Sequence, residues 1–299
     1  MATLEDSDAK LFYKINNELI YFANSRFKLI NNFPRPEKET WEEEDIQKIV
    51  EKIYSEPKII VSFCSENPAM LNKEEIEVAK SCKVFVRSKF LVFSHNSKTI
   101  FFSSEKEPKA YEVYGLYNEI LELVPFEPIM IEAIIISFKG KITYTGSFRL
   151  YNMSFGGGYK RGLKLDFEKS VLKFGIISSL DKPIEEKKQS DEEMLRFYLK
   201  NKQNKEEYRR EINELLRRTP QLNNIYYNEI GKSYVKQTRA ILSDISIKDG
   251  WFAIVNSQIV ASGKTKDEVS ERLRDVLPDN KISSAYIFEY KGDKNERKM

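Results

Sequence analysis

The order of apolar and polar positions sets the first expectations. Glu18-Leu19-Ile20-Tyr21-Phe22 and Arg26-Phe27-Lys28-Leu29-Ile30 flank Ala23-Asn24-Ser25, a spacing that predicts a hairpin ended by Pro34 and Pro36. Thr40 fits an N-cap for a helix through Tyr54. Glu42, Glu43 and Glu44 fall in its first turn, where the helix dipole favours negative charge. Ile46, Ile49, Val50 and Ile53 recur at three-to-four spacing and give that helix one buried stripe. Lys58 to Phe63 reads as a short strand, and Asn72 as the cap of a helix that turns Ile76 and Ala79 inward.

Lys83 to Phe93 and Thr99 to Ser103 predict a second hairpin turning at His95-Asn96-Ser97, and Tyr111 to Leu123 a helix despite Gly115. The most β-rich stretch follows. Ile134 to Phe138 and Ile142 to Thr145 flank Lys139-Gly140-Lys141, with further strands at Phe148 to Tyr151, Leu163 to Phe167 and Val171 to Ile177. Consecutive hairpins favour a mostly antiparallel sheet over a doubly wound one. The fold class expected is α+β.

At Leu180-Asp181-Lys182-Pro183 the composition changes to a charge-dense run nearly free of β-branched residues. Ser190-Asp191-Glu192-Glu193 fits a capping box. One helix is expected over Arg196 to Arg218, with Glu206–Arg210 and Glu214–Arg218 as i,i+4 pairs, and a second from Asn224 to Leu242. The closing unit reads as hairpin, helix, strand: Trp251 to Val255, Gln258 to Ala261, Thr265 to Val276, Ala285 to Tyr290. The expected domains are 1–180, a charged helical connector over 181–246, and a small ββαβ domain over 247–299 with a frayed tail. A unit of that size has a thin core and needs something to lean on. There is no internal repeat.

Trp251-Phe252-Ala253-Ile254-Val255 with Ile259-Val260-Ala261-Ser262-Gly263-Lys264-Thr265 resembles a short archaeal and bacterial domain of unknown function. That pattern is an aromatic-led strand, a turn, a strand ending near Val-Ala-Ser-Gly, and a helix with an acid in its first turn. The resemblance spans about 45 of the residues at the end of the chain. It implies a fold and no activity.

Composition narrows the rest. The 299 residues are 41% hydrophobic, enough for buried cores, and 32% charged, above the roughly 25% usual for globular domains. Lys and Glu dominate the charge, a bias that suits a thermophilic or archaeal source. Forty-nine basic residues nearly cancel forty-six acidic ones, so any basic surface is local. Cys64, Cys82 and His95 are the only thiols and imidazole, too few for a structural zinc site. Free thiols and a polar, acidic start, Met1 to Asp8, are read as a cytoplasmic chain, and the apolar run Ile129 to Phe138 is too short to span a membrane. No cofactor is implied.

Gly263-Lys264-Thr265 follows a strand and precedes a helix, yet Gln258 stands where a phosphate loop needs its first glycine; a turn and an N-cap account for it. Phe155-Gly156-Gly157-Gly158-Tyr159-Lys160-Arg161-Gly162 reads as a loop. With Arg149, Tyr151 and Lys164 it joins rings that stack bases to cations that meet phosphates. Arg209, Arg210, Arg217 and Arg218 add a basic stretch on the connector. These residues imply a non-catalytic partner surface, with RNA or a ribonucleoprotein first among anionic macromolecules. The alternatives are a hydrolase in which the fold unites Cys64 or a Ser with His95, and a protein that self-associates through its connector. Asp166 and Glu168 alternate with apolar residues and are expected to face solvent.

Overall fold

The computed structural model describes residues 3–35, 41–151, 153 and 155–292, without the side chain of Arg161. They divide into two compact units, Met1–Lys187 and Lys188–Met299.

Helix α1 (Asp6–Phe27) runs through the stretch expected as a hairpin. Its buried Phe12, Ile15, Leu19, Phe22 and Ala23 follow the helical period. The turn-forming Asn24 works at the far end instead: its buried amide accepts the Ile30 N–H and donates to the Ile30 carbonyl, both at 2.9 Å. Helix α2 (Glu43–Ser55) carries the expected stripe, while the proposed cap Thr40 lies outside the described residues.

Lys58 to Phe63, expected as a strand, opens helix α3 (Lys58–Glu66). A short apolar run does not reveal its period alone. Ile60, Phe63 and Cys64 turn inward at i, i+3 and i+4, and Val61 stays 48% exposed. Helix α4 (Lys73–Ser81) has the full capping box on Asn72 and Glu75.

Strands β1 (Phe85–His95), β2 (Lys98–Ser103), β3 (Ala110–Glu112), β4 (Ile129–Phe138), β5 (Lys141–Tyr151) and β6 (Ile176–Ile177) form one sheet in the order β5-β4-β1-β2-β3-β6. Among the pairings of these described strands β3–β6 is parallel and the other four are antiparallel. Asn96 and Ser97, and Lys139 and Gly140, all take positive φ, the two-residue turn that suits strand twist. The helix expected over Tyr111 to Leu123 does not form. A Cβ on Gly115 would lie 2.1 Å from the Asn118 carbonyl oxygen, so the chain turns there. Tyr114 instead bridges Thr143 and donates its N–H to the Ile142 carbonyl at 2.9 Å. The sheet therefore curls until the segment after β3 meets β5.

Phe90 and Val92 alternate with Leu91, so they face opposite sides of the sheet. On one side the main core gathers Phe12, Ile49, Phe63, Phe101 and Phe138. On the other, Leu91, Ile100 and Phe102 pack with Phe167 of helix α5 (Gly157–Phe174). Where strands were expected over Leu163 to Phe167 and Val171 to Ile177, one helix runs to Phe174, with Leu163, Phe167 and Val171 repeating at i+4; of the second strand Ile176–Ile177 alone is extended. Asp166 and Glu168 lie on that helix, not on a strand.

In the second unit the single helix expected over Arg196 to Arg218 is three: α6 (Asp191–Leu199), α7 (Lys202–Glu207) and α8 (Arg209–Arg218). Asn201 breaks it by accepting the Asn204 N–H, a local bond that competes with the helix. The turn brings Tyr198 and Tyr208 into a stack at 4.5 Å. Helix α9 (Leu222–Asp244) follows, then β7 (Gly250–Val255), β8 (Gln258–Gly263), α10 (Lys266–Val276) and β9 (Tyr286–Tyr290). The small sheet has the order β8-β7-β9. Val269 and Leu273 of α10 cover one face; Val235 and Leu242 of α9 pack with Phe252, Ile254 and Phe288 on the other. The thin ββαβ unit leans on α9, part of the stretch set apart as a connector.

Candidate nucleic-acid interface

Strand register assembles a site around Arg149. Lys89 of β1 pairs with Glu132 of β4, and Glu132 with Arg149 of β5, so three charged side chains form one row across the sheet. Two residues along each outer strand, on the same face, stand Arg87 and Tyr151. The Tyr151 hydroxyl donates to Glu132 Oε2 at 2.8 Å, and Lys89 Nζ lies 5.0 Å from the Tyr151 ring centre. Arg87 lies 3.6 Å from Glu132 and 3.8 Å from Glu51 of α2. The Tyr151 hydrogen bond, with Arg87 and Arg149 nearby, holds the Glu132 carboxyl below its usual range. Arg87, Lys89 and Arg149 are all exposed. Between α2 and β5, Arg87, Glu132 and Arg149 border an open depression together with Glu51 and Phe148.

The glycine run beside this row is not the loop expected. Gly156 is the N-cap of α5 and Gly157 its first residue. Phe155 and Tyr159 stack on one another at 4.6 Å, 15° from parallel. Phe155 is turned partly inward, in the cluster that holds Leu91 and Met130, while Tyr159 is 48% exposed. Met130 is also the cross-strand partner of Tyr151, and it packs on the same apolar cluster as Phe155. Lys160 and Lys164, one turn apart, are exposed and without an ion pair among the described residues. The first turn of α5 holds no acid. The Arg161 side chain lies outside the described part.

The four connector arginines lie on α8, in the other unit. Arg209, Arg210 and Arg217 are exposed, and Arg210 and Arg217, two turns apart, share a face. The expected helical pairs do not form. Arg218 reaches Asp191 of α6 at 2.5 Å, and Glu206 pairs with Lys202 at 3.9 Å, while the break at Tyr208 separates it from Arg210.

Arg87, Lys89, Glu51 and Glu132 escape the sequence reading. Their signal is in the strand alternation, since Arg87 and Lys89 occupy the face opposite Phe90 and Val92; their convergence on Arg149 depends on the register of three strands.

The other candidates have structural surroundings. His95 ends β1 at the turn, with its ring 4.9 Å from Phe167. Cys64 is buried in α3, 4.0 Å from the Ile76 carbonyl. At Gly263-Lys264-Thr265, Glu268 Oε2 accepts the Lys264 N–H at 2.7 Å, and Thr265 caps α10. That N–H and Arg272, 2.5 Å away, hold the Glu268 carboxyl below its usual range. Among the described residues no helix is long and apolar enough to cross a membrane.

No protein-family model, curated protein or solved structure matches this chain.

Proposed function

We propose that this protein is a non-catalytic binding protein that engages an anionic macromolecule, RNA or a ribonucleoprotein. The observation that carries the reading is the row Lys89–Glu132–Arg149 with Tyr151 on one exposed face, beside the Tyr159 ring and the Lys160–Lys164 pair. Cations spaced along a groove track phosphates, and rings at its margin stack unpaired bases. Glu132 braces Arg87 and Tyr151 without cancelling the charge: three cations there face two carboxylates, Glu132 and Glu51. Arg209, Arg210 and Arg217 on α8 offer a further basic contact.

The test is binding of a labelled single-stranded RNA of about 12 nucleotides by fluorescence anisotropy, over a series of salt concentrations. Affinity is expected to fall steeply as salt rises, and to be lost in the double variant Arg149→Glu, Lys164→Glu with the fold intact by circular dichroism. Failure to bind at low salt, or binding indifferent to those changes, rejects the reading.

A further inference from the structure

We propose that residues 157–163, the first two turns of α5, form a flap that opens while the rest of the helix stays docked, and that the opened form is the one that takes the RNA strand. The second half of this rests on the binding reading above.

The helix is fastened unevenly. Its later part is held by Phe167, whose ring meets Phe93, His95 and Phe102 at 5.2, 4.9 and 5.7 Å. Ser170 Oγ donates to the Pro108 carbonyl at 2.7 Å, and Lys173 pairs with Glu107 and Glu186 at 3.0 and 2.8 Å. At its start the apolar packing comes from Phe155 and Leu163, both only partly buried.

The glycines differ in the same sense. Gly175, which ends α5, has φ +76°, and a Cβ there would meet the Lys187 side chain at 2.9 Å, so the position requires glycine. Gly157, Gly158 and Gly162 have ordinary helical φ, and a Cβ on any of them would meet nothing within 4 Å. Packing does not ask for glycine at these three places, and each lowers helix stability relative to alanine. Lys160 and Lys164, like charges at i,i+4, weaken the helix there further. The glycines and the lysine pair therefore favour opening at this end against the Phe155–Tyr159 stack and Leu163, whereas Phe167, Ser170 and Lys173 hold the helix beyond it.

Opening has a definite consequence. Phe155 and Leu163 belong to the cluster of Leu91 and Met130, and Met130 stands across from Tyr151. Lifting the flap uncovers an apolar strip continuous with the ring and cations of Lys89, Arg149 and Tyr151.

Hydrogen–deuterium exchange on the full chain, with and without Gly157→Ala/Gly158→Ala/Gly162→Ala, decides it. Peptides covering 157–163 are expected to exchange at least about 10-fold faster than those covering 167–174. The triple variant should slow them by about 10–100-fold. Its affinity for the same labelled RNA should fall by up to the same factor, since apparent affinity scales with the open fraction. Equal exchange along all of α5 overturns the flap, and slowed exchange with unchanged RNA affinity overturns its role. If the wild-type chain holds no RNA, the binding reading falls together with that role, while the exchange pattern still decides whether the flap exists.

Discussion

Gly231 of α9 faces Ile254 of β7 so closely that a Cβ on Gly231 would lie 2.9 Å from the Ile254 carbonyl oxygen. The same Cβ would meet Tyr286 of β9 at 3.3 Å. This contact seats α9 on the small sheet. Gly231→Ala must push helix and strand apart, and overpacking of this kind destabilises by about 1–3 kcal/mol. Urea unfolding should show that loss in the second unit; an unchanged midpoint would mean that α9 does not rest on the sheet at this point.

The Glu132–Tyr151 hydrogen bond gives a pH signature. Because the folded carboxyl lies below its ordinary value, the bond stabilises above the ordinary carboxylate range and the contribution disappears as pH falls through the folded value. Tyr151→Phe should lower stability by about 1 kcal/mol at neutral pH, with the difference closing as pH falls below the ordinary carboxylate range. A difference that stays constant with pH would assign the loss to packing.

Phe167 is the ring on which α5 is docked, 5% exposed among Phe93, His95 and Phe102. Phe167→Ala should cost about 3–5 kcal/mol, read by chemical denaturation. It should also extend rapid amide exchange from the start of α5 to its whole length.

Both thiols should be inert in the native chain. Cys82 is buried, and burial pushes its thiol up to about 12; burial also raises Cys64. Since the thiolate is the reacting form, a thiol reagent at about pH 8 should label neither until the protein unfolds, and then both. Rapid native labelling of Cys64 would place it at an accessible site.

Charge and ring contacts should separate in salt titrations of RNA binding. Lys89→Ala or Arg149→Ala is expected to reduce the slope of log affinity against log salt by about 1. Tyr159→Ala should weaken binding by about 1–3 kcal/mol with the slope unchanged. Equal effects on the slope from all three would deny the ring a stacking role.

What the sequence determined by itself is what short-range chemistry decides. Asn96-Ser97 and Lys139-Gly140 sit between alternating apolar runs, and their turns follow from backbone preference alone. The caps on Asn72, Ser190 and Thr265 are equally local, since each closes within its own first turn. So is the α+β character, and so is the order hairpin, helix, strand at the end of the chain. Gly263-Lys264-Thr265 reads as a turn and a cap in the sequence and is one in the structure.

Tertiary structure decided the rest, where a segment's conformation depends on what it is buried against. Residues 18–27 carry a turn signal and 58–63 a β-branched run, yet both are helices because a helical stripe meets the core. Asn24 is a turn former whose partner, Ile30, is supplied only by the finished helix end. Arg149 and Tyr151 were visible as a cation and a ring; Lys89 and Glu132 joined them only through strand register, which is a property of the whole sheet. The glycines at the start of α5 mark a weak helix end, and nothing short of the packing around Phe167 and Lys173 reveals that the other end is anchored.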